Sequence, residues 1–242
     1  MDPLKQRITE YWTQRSESFA DQRMREFHNV KREQWTDEFR KYVDFDGRKL
    51  RVLDLGTGTG FFAFLFAAAG HEVVGVDLTA EMIEKAKTTA EALELDVDFR
   101  VMDAEEPDFA DESFDVLVTR NLTWTLPHLA SAYHEWYHLL KPGGVLINFD
   151  ADYANHAETM EEDNLPENHA HKNIPQTLCS ENEIITQEVA AYQQPRPQWD
   201  VQLLEKAGFR EMRIDFGVWK RVYREIDEFY NPTPIFALAA YK

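Results

Sequence analysis

The sequence predicts an α/β fold, a doubly wound, mostly parallel sheet with helices on both faces and a helical cap. Three observations carry that expectation. From Leu50 onward short apolar runs alternate strictly with helical patterns, the first run feeds a glycine-rich turn that opens a helix, and an acidic residue ends or follows each of the next two runs. With 242 residues the chain suits one large domain, able to bury about 70–75% of its unfolded surface without disulfide staples.

Residues 1–49 are polar and charged, and Tyr11, Trp12, Phe19, Phe27, Trp35 and Phe39 recur at helical spacing, which predicts two amphipathic helices capping the core. Strands are expected at Leu50–Leu55, Glu72–Asp77, Val97–Val101, Phe114–Thr119 and Val145–Asp150. Helices are expected between them at Gly60–Ala69, Thr79–Leu93 and His128–Leu140, the last stopped by Lys141-Pro142-Gly143-Gly144. Residues 151–196 break the rhythm with many Glu, Asn and His and no sustained period, as lids and binding segments do. Residues 197–242 complete the sheet through a helix at Trp199–Ala207, closed by Gly208, and strands at Phe209–Phe216 and Ile235–Tyr241. The chain thus divides into a cap (1–49), an α/β core (50–150), an inserted lid (151–196) and the completion of the core.

Lys and Arg number 26 against 44 Asp and Glu, a formal charge of −18. Such a surface repels nucleic acid and anionic membrane, so small-molecule chemistry is expected, and the same reading leaves the oligomeric state open. The longest apolar run, Phe61 to Ala69, is less than half the roughly 20 residues a membrane helix needs. The single cysteine, Cys179, excludes an intramolecular disulfide and agrees with a reducing, cytoplasmic setting.

After the first strand comes Asp54-Leu55-Gly56-Thr57-Gly58-Thr59-Gly60, where glycines let backbone turn sharply and approach a ligand. Phe61 stands where the dinucleotide fingerprint G-x-G-x-x-G needs its third glycine, so the spacing is G-x-G-x-G instead. Asp54 suits a cationic or hydroxyl-bearing ligand better than a pyrophosphate. Asp77 ends the second strand, where a carboxylate can take both hydroxyls of a ribose, and Asp103 follows the third, able to accept from an exocyclic amine.

Together Val52 to Gly60, Val76-Asp77-Leu78-Thr79 with Met82, Asp103-Ala104, Ser113 to Val116 and Leu140 to Gly144 resemble the class I S-adenosylmethionine-dependent methyltransferases. The resemblance covers roughly Tyr11 to Asp150 and returns at Ala207-Gly208-Phe209. It implies a Rossmann-like sheet of seven strands with the last one reversed, S-adenosylmethionine as cofactor and S-adenosylhomocysteine as product. It also implies that Asp54, Gly56, Thr57, Gly58 and Gly60 surround the methionine part, that Asp77 holds the ribose, that Asp103 and Ala104 hold adenine, and that Leu78 and Met82 also contact the cofactor. Arg120 and Asn121 would flank the methyl group, and Tyr11 and Arg15 would belong to a segment folding over the cofactor. Amine methyltransferases acting on nucleic-acid bases often carry N-P-P-Y at the fourth strand, whereas this chain reads Asn121-Leu122-Thr123-Trp124.

Methyl transfer to an amine or hydroxyl releases a proton, for which His156, Tyr153 and Asp152 are candidate acceptors. Trp12, Trp124 and Asp150 are candidates for holding the acceptor, which on these groups would be cationic or amine-bearing. Two other readings use the same chain. A cofactor-binding module or partner subunit without turnover would keep the motifs, and His134-Glu135-Trp136-Tyr137-His138 matches the zinc-hydrolase pattern H-E-x-x-H. At 100° per residue both histidines point about 160° from the apolar stripe Leu129, Tyr133, Trp136 and Leu140, so they are expected to face water and no metal is expected. His156, His169 and His171 match no ligand spacing.

Overall fold

A computed structural model describes residues 2–155, 165–169 and 174–242. Seven strands form one sheet: β1 (Arg51–Leu55), β2 (Glu72–Asp77), β3 (Asp98–Val101), β4 (Phe114–Arg120), β5 (Leu140–Ala151), β6 (Glu211–Asp215) and β7 (Ile235–Tyr241). Their order is β3-β2-β1-β4-β5-β7-β6. All neighbours run parallel except β7, which is antiparallel to both β5 and β6, as the resemblance implies.

The helices are α1 (Pro3–Phe27), α2 (Lys31–Phe39), α3 (Phe61–Ala68), α4 (Ala80–Ala92), α5 (Leu129–Leu139), α6 (Gln176–Glu188), α7 (Gln198–Ala207) and α8 (Val218–Val222). Two of them, α6 and α8, are additions to the sequence-based expectation. Only Leu178, Ile185 and Thr186 of α6 are buried, too sparse an apolar face to show a period, and α8 is a little over one turn long. The Lys141-Pro142-Gly143-Gly144 segment ends α5 as expected but is taken up by β5, where pairing with β4 is irregular.

Alternation along β1 divides the core. Val52 packs in the cluster with Trp35, Phe62 and Phe66 on one face, while Leu53 and Leu55 join Tyr133, Trp136 and Leu204 on the other. Strand β4 is buried except at its last residue, as parallel strands covered on both faces should be. The cap is tied down by ion pairs and hydrogen bonds. Asp2 caps α1 by accepting from the Leu4 N–H at 2.9 Å, Thr13 of α1 donates to Glu81 of α4, and Arg7 pairs with Glu181 of α6 at 2.7 Å. Helix α2 meets α8 through Arg221 and Glu38. The strand order reverses at β1, which lies between β2 and β4, so the ligand crevice of this architecture opens at their carboxyl ends.

Candidate active site

Gly56, Gly58 and Gly60 have φ of +63°, +54° and +93°, a region where side chains are strained. A Cβ on Gly58 would meet nothing within 4 Å, so the turn leaves open space there. One on Gly60 would strike Phe64 at 2.6 Å and Phe99 at 2.9 Å. A side chain at Gly60 would collide with the packing of α3 on the sheet, and Gly60 itself is not among the residues lining the cleft. The turn is tied to β2 by the Gly58 N–H, which donates to Asp77 Oδ2 at 2.9 Å, while Thr79 N–H donates to Oδ1 at 2.8 Å. Burial pushes the Asp77 carboxyl up, against the pull of these donors. Asp54 accepts from Thr57 Oγ1 at 2.6 Å and Ala63 N–H at 3.1 Å, both on Oδ2. Burial outweighs them and pushes its carboxyl up to about 7.

One cleft gathers Asp54, Gly56, Thr57, Gly58, Asp77, Leu78, Met82, Asp103, Ala104, Arg120 and Asn121, together with Trp12. One face of α1, comprising Lys5, Ile8, Thr9, Trp12, Phe19 and Arg23, covers it. Of these, sequence reading named only Trp12 as a site residue. Counting helical turns outward from Trp12 would have found the others. Lys5 bridges Asp103 at 2.6 Å and Glu105 at 2.5 Å, pinning the start of α1 to the end of β3. Burial opposes the Lys5 charge, but the two carboxylates prevail and raise its pKa.

At the end of β4, Asn121 adopts φ +53°, a left-handed conformation that asparagine tolerates better than most residues. Its Oδ1 accepts from Tyr153 Oη at 3.0 Å and its backbone carbonyl from Trp124 Nε1 at 3.0 Å. The Arg120 guanidinium donates to Glu26 at 3.0 and 3.3 Å and to Tyr223 Oη at 3.0 Å. It also lies over the rings of Trp35, Phe61 and Phe62, at 4.6, 5.2 and 5.5 Å from their centroids.

Other sequence-predicted residues stand elsewhere. Asp150 is fully buried: its carboxylate accepts from Thr123, Trp124 N–H and Ala151 N–H and pairs with Arg196 at 3.6 Å, so it is not presented to an acceptor. Asp152 accepts from Asn155 and the Arg196 N–H, outside the cleft lining. The Trp124 ring packs on Tyr153 and Tyr192, which removes it from the cleft wall. Tyr11 and Arg15 lie on the side of α1 that meets α6. Tyr11 packs edge-on against Trp12, and Arg15 lines a second hollow with His169 and Leu178. Tyr153 reaches the cleft only through Asn121. His156 and His171 lie outside the described residues. His134 is exposed on α5 and His138 half-buried, their rings 4.7 Å apart. His169 Nε2 lies 2.7 Å from the Tyr230 carbonyl. Among the described residues, no three His, Cys, Asp or Glu cluster as a metal site.

A family profile described as a methyltransferase domain matches residues 46–229. An arsenite methyltransferase of Halobacterium salinarum is 38% identical over 98 residues, 38% of this chain and 25% of that protein. A tRNA 5-carboxymethoxyuridine methyltransferase of Escherichia coli K12 is 32% identical over 115 residues, 46% of this chain and 44% of that protein. The chain thus spans less than half the length of these curated relatives. The solved structure of Haemonchus contortus phosphoethanolamine N-methyltransferase 2, in complex with S-adenosyl-L-methionine, shares the fold with a TM-score of 0.58 and 22% identity over 82% of this chain and 50% of that one.

Proposed function

The chain belongs to the class I S-adenosylmethionine-dependent methyltransferases, and from that premise we propose that it transfers the methyl group of S-adenosylmethionine to a small-molecule acceptor. The convergence of Asp54, Asp77 and Asp103 on one cleft beside Gly58 carries this reading. Asp77, at the end of β2, is assigned to the ribose hydroxyls, and Asp103 with Ala104 to adenine, with Lys5 holding the Asp103 carboxylate in place. Asp54, whose hydrogen bonds both converge on Oδ2, keeps its second oxygen for the ammonium of the methionine part.

Bound there, the cofactor supplies a sulfonium methyl group that an acceptor lone pair takes directly, the electrons of the broken carbon–sulfur bond staying on sulfur. The protein's contribution is alignment and exclusion of water. Helix α1 covers the cleft, and Asn121, held by Tyr153, orients the reacting end. Burial raises the Tyr153 pKa, so its hydroxyl stays protonated and positions Asn121 rather than accepting the acceptor's proton. The charge of −18 supports a small-molecule acceptor over nucleic acid. No helix among the described residues is long and apolar enough to cross a membrane, and the free thiol of Cys179 supports placing the enzyme in the cytoplasm.

Titration calorimetry with S-adenosylmethionine and S-adenosylhomocysteine tests the site. Asp77→Ala is expected to weaken both by about 1–3 kcal/mol, because the ribose hydroxyls lose a charged acceptor. No binding by the wild-type protein ends this reading. Binding without release of S-adenosylhomocysteine across a metabolite panel makes the chain a binding module instead.

A further inference from the structure

Arg23 and Arg120 both line the cleft, and among the described residues the carboxylate that forms ion pairs with both of them is Glu26. That carboxylate is fully buried and saturated: it receives Arg120 on both oxygens, Arg23 on Oε2 and the Trp35 indole N–H on Oε1 at 3.2 Å. Two guanidinium groups against one carboxylate leave one positive charge, inside a protein whose overall charge is −18. Among the described residues no second carboxylate forms an ion pair with the two guanidinium groups: Tyr223 is neutral, and Lys31, over its ring at 5.2 Å, pairs with Asp227 at 3.3 Å. Asp54 feels Arg120, but burial raises its carboxyl to about 7, so it carries only part of a negative charge near neutral pH.

The surplus also has a free donor. Arg120 Nε is buried and has no hydrogen-bond partner, on a side chain only 10% exposed. A buried donor without a partner is costly, and an anionic acceptor can satisfy it with a charge-assisted hydrogen bond. Around these charges the wall is aromatic. Arg23 lies over the Phe19 ring at 4.9 Å and Arg120 over Phe61 at 5.2 Å.

We propose that the methyl acceptor is a carboxylate-bearing small molecule with an apolar, ring-like body, its carboxylate met by the Arg23–Glu26–Arg120 cluster and its body lying against Phe19, Phe61 and Phe62. The inference rests on the methyltransferase reading and names the acceptor class of that cleft. It replaces the sequence-based expectation of a cationic acceptor. The acid on which that expectation leaned, Asp150, is matched by Arg196, and Trp124 is packed away from the cleft.

The same charge could instead meet the carboxylate of the cofactor's methionine part, and the experiment separates the two. Protein saturated with S-adenosylhomocysteine is titrated with phenylacetate, phenylacetamide and 2-phenylethylamine, followed by ligand-observed NMR. Phenylacetate is expected to bind at least tenfold more tightly than the amide, with the amine weaker still. Arg23→Gln should erase that preference and Arg23→Lys should keep most of it, while S-adenosylhomocysteine affinity changes less than threefold in either variant. Equal binding of acid and amide, a preference for the amine, or an Arg23→Gln loss that falls on S-adenosylhomocysteine rather than phenylacetate overturns the proposal. The wild-type acid-to-amide ratio decides even if a variant fails to fold. Failure of S-adenosylhomocysteine itself to bind counts against the methyltransferase reading, and phenylacetate titrated into the cofactor-free protein then tests the cluster alone.

Discussion

Asp54 and Asp77, at the carboxyl ends of β1 and β2, differ from Asp150, at the end of β5, in what the rest of the chain leaves them. Asp54 carries two hydrogen bonds on one oxygen and lines the cleft, and Asp77 receives the backbone N–H groups of Gly58 and Thr79 and the Thr79 side chain. Asp150 has both oxygens occupied, and its neighbour Asp200 is clamped by Arg196 at 2.5 and 2.6 Å and by Tyr133 Oη at 2.6 Å. Thr123 links the two, donating to Asp150 while accepting from Arg196 and Asn148. Strand direction draws Asp54, Asp77 and Asp150 toward the same edge, while Asp200 comes from α7. Asp150 is enclosed together with its cation, whereas Asp103, although paired with Lys5, still lines the cleft.

Removing that cation should break the contrast with the largest effect. In Arg196→Met, Asp150 and Asp200 lose the cation they share and keep only neutral donors, and a loss of about 3–5 kcal/mol in unfolding free energy is expected from urea denaturation. Cofactor affinity of the protein that remains folded should be unchanged. A loss below 1 kcal/mol would mean that Asp150 and Asp200 are not held by Arg196 at all.

The β1 side is sharpened by pH. Asp54 titrates near 7 when folded, above the ordinary carboxylate value, so the folded state binds the extra proton between roughly pH 4 and 7. Its contribution to stability is therefore present at low pH and lost as pH rises toward 7, by about 2–3 kcal/mol between pH 5 and 7. Denaturation of wild type and Asp54→Asn at several pH values should show the difference moving in favour of the variant across that window and levelling above it. A difference that stays flat with pH would place the Asp54 carboxyl in the ordinary range.

The smallest effect belongs to a pair that lies in neither region. His134→Ala with His138→Ala is expected to change stability by no more than about 0.5 kcal/mol, because His134 is exposed and His138 only half-buried on α5. Elemental analysis should find the same zinc content, near zero, in both proteins. Stoichiometric zinc in the wild type, lost in the variant, would revive the hydrolase pattern.

The alternation of strands and helices, the glycine turn, the acids of β1 to β3 and the outward histidines of α5 were legible because each depends on local periodicity or on strand direction. A period of 2 or of about 3.6 is written into neighbouring residues, and parallel strands deliver their ends to one edge whatever lies beyond them. The cover of the cleft was half legible. Trp12 was visible as an aromatic at helical spacing, but the rotation of α1 that turns Lys5 and Arg23 inward and Tyr11 and Arg15 toward α6 depends on what the helix packs against. The joining of Glu26 to Arg120 and of Asp150 to Arg196 was not legible, since residues far apart in sequence meet only after the sheet is built. Sequence by itself therefore determined the sheet, the turn and the chemistry offered at its edge. Tertiary structure decided which of those charges remain available, because a buried charge is settled by whichever opposite charge the fold brings within reach.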